Sequence, residues 1–64
     1  MEVAEFNRFV GMDIDKASIE LPKPFFFFVV NNNGKTIYRT WEFNPKRICI
    51  WVENNIITKI DSIN

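Results

Sequence analysis

The chain has 64 residues, 47% of them hydrophobic and 16% aromatic, with eight basic and eight acidic side chains and a formal net charge of zero. A chain of this length and composition is one small globular domain with a modest core, and disorder is excluded by its apolar content. The zero charge argues against nucleic acid as a partner, because phosphate binding needs a basic field.

No apolar run approaches a membrane span; the longest, Phe25 to Val30, has the length of a buried strand. Met1 to Glu5 lacks the basic and apolar regions of a signal peptide, so localisation stays open: inside the cell, or exported by a leader outside this chain. The single cysteine, Cys49, precludes an internal disulfide, so packing and hydrogen bonds must supply stability. There is no histidine, which removes the commonest general base and metal ligand. With only Gly11 and Gly34, there is no phosphate-cradling loop. No carboxylates form an evident catalytic pair. Catalytic and metal-binding residues are therefore expected to be absent, no cofactor is expected, and the chain does not read as an enzyme.

In chain order, residues 1 to 5 are polar and expected to fray, while Phe6 and Phe9 should pack on the domain. Val10-Gly11 is a turn. Asp13 is placed to cap a helix, and Asp15 adds negative charge at the positive end of the helix dipole. Ile14, Ala17, Ser18 and Leu21 fall on one helical face, and Pro22 ends the helix, giving a short element from Asp13 to about Glu20. Too short to persist alone, it must pack on a sheet.

Phe25 to Val30 is the strongest strand signal, apolar on both faces as a central strand would be. A base-stacking platform is the competing reading, and the neutral charge disfavours it. Asn31 to Gly34 is a turn. From Gly34 a long loop follows that mixes Ile37, Tyr38, Trp41 and Phe43 with Lys35, Arg39 and Glu42, and Asn44-Pro45 closes it.

Arg47 to Val52 is a strand with Ile48, Ile50 and Val52 on one face and Arg47, Cys49 and Trp51 on the other. Glu53-Asn54-Asn55 reads as a hairpin turn, Ile56 to Ile60 as the last strand, and Ile63 as a further apolar contact. The fold class is thus α+β: a single short helix packed on a small mixed β-sheet, with a long exposed binding loop between two strands. Loops held by rigid strands commonly carry function.

The run Thr40-Trp41-Glu42-Phe43-Asn44-Pro45-Lys46-Arg47 followed by the apolar strand to Val52 resembles the potato inhibitor I family of serine-protease inhibitors, to which the eglins and the barley chymotrypsin inhibitor belong. Its pattern is a threonine, a large apolar residue, an acid, an apolar residue, a variable stretch, then arginine heading a strand. Phe6 to Gly11, the helix start at Asp13 to Ala17, and Ile56 to Ile63 are similar to the family's other segments, in the same order. The chain departs from the pattern in four places. The helix is slightly shorter and the Asn31 to Gly34 region slightly longer. Cys49 stands where many members carry a second arginine, and Asn64 stands where the family often ends in glycine.

The resemblance implies a substrate-like inhibitor whose protease-binding loop contains Arg39, Thr40, Trp41, Glu42 and Phe43. Trp41 would be the P1 residue and Trp41–Glu42 the scissile bond. An indole suits the wide apolar S1 slot of chymotrypsin-like or subtilisin-like proteases. Arg47 would brace the loop through Glu42 and the Thr40 hydroxyl, with Cys49 at the position of the missing second brace. The implied partner is a serine protease, bound by a monomer, with no nucleic acid and no membrane. The alternative is a non-inhibitory protein-binding module of the same fold.

Overall fold

The computed structural model of the chain describes residues 3–37 and 43–64. A 3-10 helix, Val3–Phe9, leads into α1, Ile14–Glu20, and four strands follow: β1, Phe26–Asn32; β2, Lys35–Thr36; β3, Arg47–Glu53; and β4, Ile56–Ile63. The strands form one mixed sheet in the order β2-β1-β3-β4, with β1 parallel to β3 and the other pairs antiparallel. The chain is therefore α+β, one short helix with a four-stranded mixed sheet.

Val3 to Glu5, in the segment expected to fray, belong to the 3-10 helix. Phe6 and Phe9 are three residues apart, the repeat of a 3-10 helix, so both rings leave the same side and both are buried. Phe6 sits 5.3 Å from the Phe25 ring, and Phe9 meets Phe27 edge-on at 5.6 Å. In α1, Asp13 is the N-cap: its Oδ1 accepts from the Asp15 N–H at 2.9 Å. Leu21 closes the helix by donating to the Ala17 carbonyl, and Pro22 follows. Ala17 and Leu21 are buried and Ile14 is half-buried, whereas Ser18, expected on the packed face, is exposed.

Ala17, Leu21, Phe6 and Phe9 join Ile48, Ile50, Val52, Ile57 and Ile60 in one cluster, with Phe25, Phe27 and Val29 packed against it. Burying several such side chains, at roughly 1.5 to 3 kcal/mol each, is the main force holding the fold. Alternation along β3 then sends Arg47, Cys49 and Trp51 to the opposite face of the sheet.

Two tight hairpin turns lie side by side at the end where β1 and β3 finish. Asn33 and Gly34 have φ of 52° and 82°, and Asn54 and Asn55 have φ of 49° and 69°. Positive φ at both central residues is the geometry that matches strand twist in two-residue hairpins. The Asn33 N–H donates to the Val52 carbonyl at 2.8 Å, and the Asn54 N–H donates to Asn33 Oδ1 at 2.7 Å. The first turn folds Lys35–Thr36 back onto β1, so the segment expected to be loop from Gly34 onward begins as a strand.

Candidate functional site

The other end of the sheet is organised around Arg47. Asn44 and Pro45 form the turn that delivers it: the Arg47 N–H donates to the Asn44 carbonyl at 3.0 Å, and Asn44 Oδ1 accepts from the Lys46 N–H at 2.9 Å. Proline fixes φ at the second position of such a turn, and asparagine satisfies its inner N–H, which is why this dipeptide ends the connection here. The main chain is then captured by the sheet, with Phe26 N–H donating to the Lys46 carbonyl at 3.0 Å.

Arg47 is buried although it is charged. Its Nη2 donates to the main-chain oxygen of Asn64 at 2.8 Å, and its Cζ lies 5.5 Å from the centre of the Phe28 ring. A planar guanidinium can use an aromatic face and a carbonyl together, which an ammonium does less well. The same Asn64 oxygen accepts from the Asn44 N–H at 3.1 Å, and the Asn64 N–H donates to the Arg47 carbonyl at 3.1 Å. The chain's last residue thus closes over the start of β3 and the end of the preceding connection.

Cys49 lies beside Arg47 on this face and is fully buried, its thiol 3.6 Å from Asn64 Oδ1, which also receives the Ser62 hydroxyl at 3.4 Å. At the position where the resemblance would put a second guanidinium, a thiol and an amide fill the space. Trp51, further along, is 37% exposed, its Nε1 donating to Asp61 at 3.4 Å with Lys59 Nζ 4.9 Å from the ring. It lies towards the turn end of this face, beyond the part that Asn64 covers.

Of the expected protease-binding residues, Arg39, Thr40, Trp41 and Glu42 lie outside the described residues. The expected Arg47 contacts with Thr40 and Glu42 lie outside the described residues too. Phe43 is described and is 80% exposed. Before that segment, the Ile37 N–H donates to the Val30 carbonyl at 2.8 Å. After it, Asn44 is bonded as described above. Both flanks are therefore tied to the sheet.

Sequence reasoning located Arg47 and Cys49 but missed Asn64 and Phe28 as their partners. Phe28 lies in a run that reads as apolar on both faces, and no local signal marks Asn64. Among the described residues no cluster of three or more His, Cys, Asp or Glu side chains is arranged to hold a metal ion, and no helix is long and apolar enough to cross a membrane. Comparison with protein families, curated proteins and solved structures finds no match to the chain.

Proposed function

We propose that this protein is a reversible, substrate-like inhibitor of chymotrypsin-like or subtilisin-like serine proteases, with Trp41 as P1 and Trp41–Glu42 as the scissile bond. The observation that carries the reading is the buried, doubly engaged Arg47 directly after a segment whose flanks, Ile37 and Asn44, are both bonded to the framework. The resemblance of Thr40 to Val52 to the potato inhibitor I pattern supplies the roles within that segment.

The physical logic is one of entropy. A segment tethered on both sides loses little freedom when it docks, so its contacts appear as affinity rather than being spent on ordering. It would pair its backbone with the enzyme as an added strand and insert the Trp41 ring in the S1 slot. The catalytic serine would attack the Trp41 carbonyl. The new amino end at Glu42 would then stay beside the acyl group, because Asn44 and Arg47 anchor the chain a few residues on, and religation would compete with hydrolysis. The exposed Phe43, next after Glu42, is available for contact on the leaving-group side.

Titration of chymotrypsin, subtilisin and trypsin with the protein tests this. Stoichiometric, lasting inhibition of the first two with trypsin spared is expected. Rapid cleavage after Trp41 without lasting inhibition, or binding that leaves protease activity intact, refutes it; the latter is the behaviour of a non-inhibitory binding module.

A further inference from the structure

The two hairpin turns at the far end of the sheet hold a reactive dipeptide in a closed state. Asn33 is followed by Gly34, the only asparagine in the chain followed by glycine. With no side chain on the following residue, nothing shields its backbone nitrogen from the asparagine side chain, so Asn-Gly is the pairing most open to intramolecular attack. In that reaction the deprotonated Gly34 nitrogen attacks Cγ of Asn33. The new C–N bond closes a five-membered succinimide, the bond to the side-chain amide nitrogen breaks, and ammonia leaves. Water then opens the ring at either carbonyl, leaving aspartate or isoaspartate at position 33. The sum is amide plus water to carboxylate plus ammonium, with no change of oxidation state.

Both groups that must meet are engaged. The Gly34 N–H donates to Asn31 Oδ1 at 3.0 Å, and Asn31 is itself buried. Asn33 Oδ1 accepts from the Asn54 N–H at 2.7 Å, which holds the side chain toward the neighbouring hairpin and away from its own Gly34 nitrogen. The Asn33 N–H is bonded to the Val52 carbonyl at 2.8 Å, fixing the residue at φ 52°. Attack requires the Asn31–Gly34 and Asn54–Asn33 bonds to open together.

We propose that Asn33 is a site of spontaneous deamidation in this protein, and that the clasp between the β1–β2 and β3–β4 turns gates it. The folded protein then ages at the rate at which this end of the sheet opens. The aspartate product keeps an acceptor for the Asn54 N–H. The isoaspartate product inserts a methylene into the main chain at a two-residue turn whose geometry fixes the pairing of Asn32 with Lys35, and so unpairs β2.

The experiment follows deamidation by peptide mass spectrometry during incubation in warm neutral buffer, for the folded protein, the protein in urea, and the Asn31→Ala variant. In urea, conversion at Asn33 should precede every other asparagine and run about tenfold or more faster than in the folded protein, the factor expected when two hydrogen bonds must first break. Asn31→Ala, folded, should convert at an intermediate rate. Equal rates in the folded protein and in urea overturn the gate, and earlier conversion of a different asparagine overturns the site. If Asn31→Ala does not fold, the comparison of the native protein with and without urea decides the proposal alone.

Discussion

Arg47 and Asn64 bond to each other twice in opposite senses. The guanidinium Nη2 donates to the Asn64 oxygen at 2.8 Å, and the Asn64 N–H donates to the Arg47 carbonyl at 3.1 Å. One bond fixes the side chain and the other fixes the backbone that carries it, so the arginine is held in position before any partner arrives.

Arg47→Ala removes the side-chain half of this arrangement and leaves the backbone half. A hydrogen bond to a charged group contributes about 1.5 to 3 kcal/mol, so the variant should fold with stability lowered by about that amount. Its effect on function should be larger: under the proposed function, the Trp41–Glu42 bond should be hydrolysed by chymotrypsin many times faster than in the native protein. Chromatography of inhibitor incubated with enzyme measures this, and unchanged hydrolysis would refute the role given to Arg47.

Under the proposed function, Trp41→Ala tests the anchor. Aromatic anchors at the centre of an interface account for about 2 to 4 kcal/mol, so inhibition of chymotrypsin should weaken by about thirtyfold to a thousandfold. Inhibition constants measured beside the thermal midpoint separate loss of the anchor from loss of the fold; the midpoint should stay unchanged.

Ile50 and Ile19 give a contrast in burial. Ile50 is fully buried between the helices and the sheet, and Ile19 on α1 is 84% exposed. Ile50→Ala should cost about 2 to 5 kcal/mol, a large share of the stability of a chain this small. Ile19→Ala should stay within about 0.5 kcal/mol of native. Urea unfolding of both variants gives the comparison, and equal losses would contradict the placement of the core on one face of the sheet.

Asp13 predicts a pH dependence. The Asp15 N–H, aided by the Asn55 side chain, stabilises its ionised form and holds its carboxyl below the ordinary 3.8. A carboxylate with a depressed folded value stabilises fully above the unfolded value, and loses that contribution as pH falls through the folded one. Unfolding midpoints should therefore fall below about pH 4 partly through Asp13. Asp13→Asn should show a shallower fall over the same window, measured by urea titration across acidic pH.

Cys49 should be silent toward thiol reagents in the folded state, since its side chain has no solvent exposure. Reactivity follows access to the thiolate. Labelling should appear only in denaturant, and fast labelling of the native protein would contradict the packing of Asn64 over this face.

Much of the fold can be read from short-range chemistry. Asp13 and Pro22 bracket α1, the alternation from Arg47 to Val52 separates core from arginine face, and Asn54-Asn55 marks a hairpin. The missed elements each depend on something less local. Asn33-Gly34 is a strong hairpin signal, but its return strand is Lys35–Thr36, too short and polar to show a period of two. Asp61 and Ser62 look like the end of β4, yet the strand runs to Ile63: register shifts that leave Thr58 and Asp61 of β4 as extra residues let Ser62 pair with Cys49 and Ile63 with Ile48. The position of Asn64 against Arg47 is set by that pairing, and no feature of asparagine itself announces it.

The parallel union of β1 and β3 encloses everything from Asn33 to Lys46 as a chain excursion. Closing such an excursion becomes only slowly more costly with length, about 0.6 kcal/mol for each doubling. None of the described residues of this excursion, 33–37 and 43–46, belongs to the cluster of Phe9, Ile48, Ile50 and Ile57. The molecule therefore separates its architecture from its vocabulary. Under the proposed function, lengthening the connection would cost little, and the same framework would then present a different message.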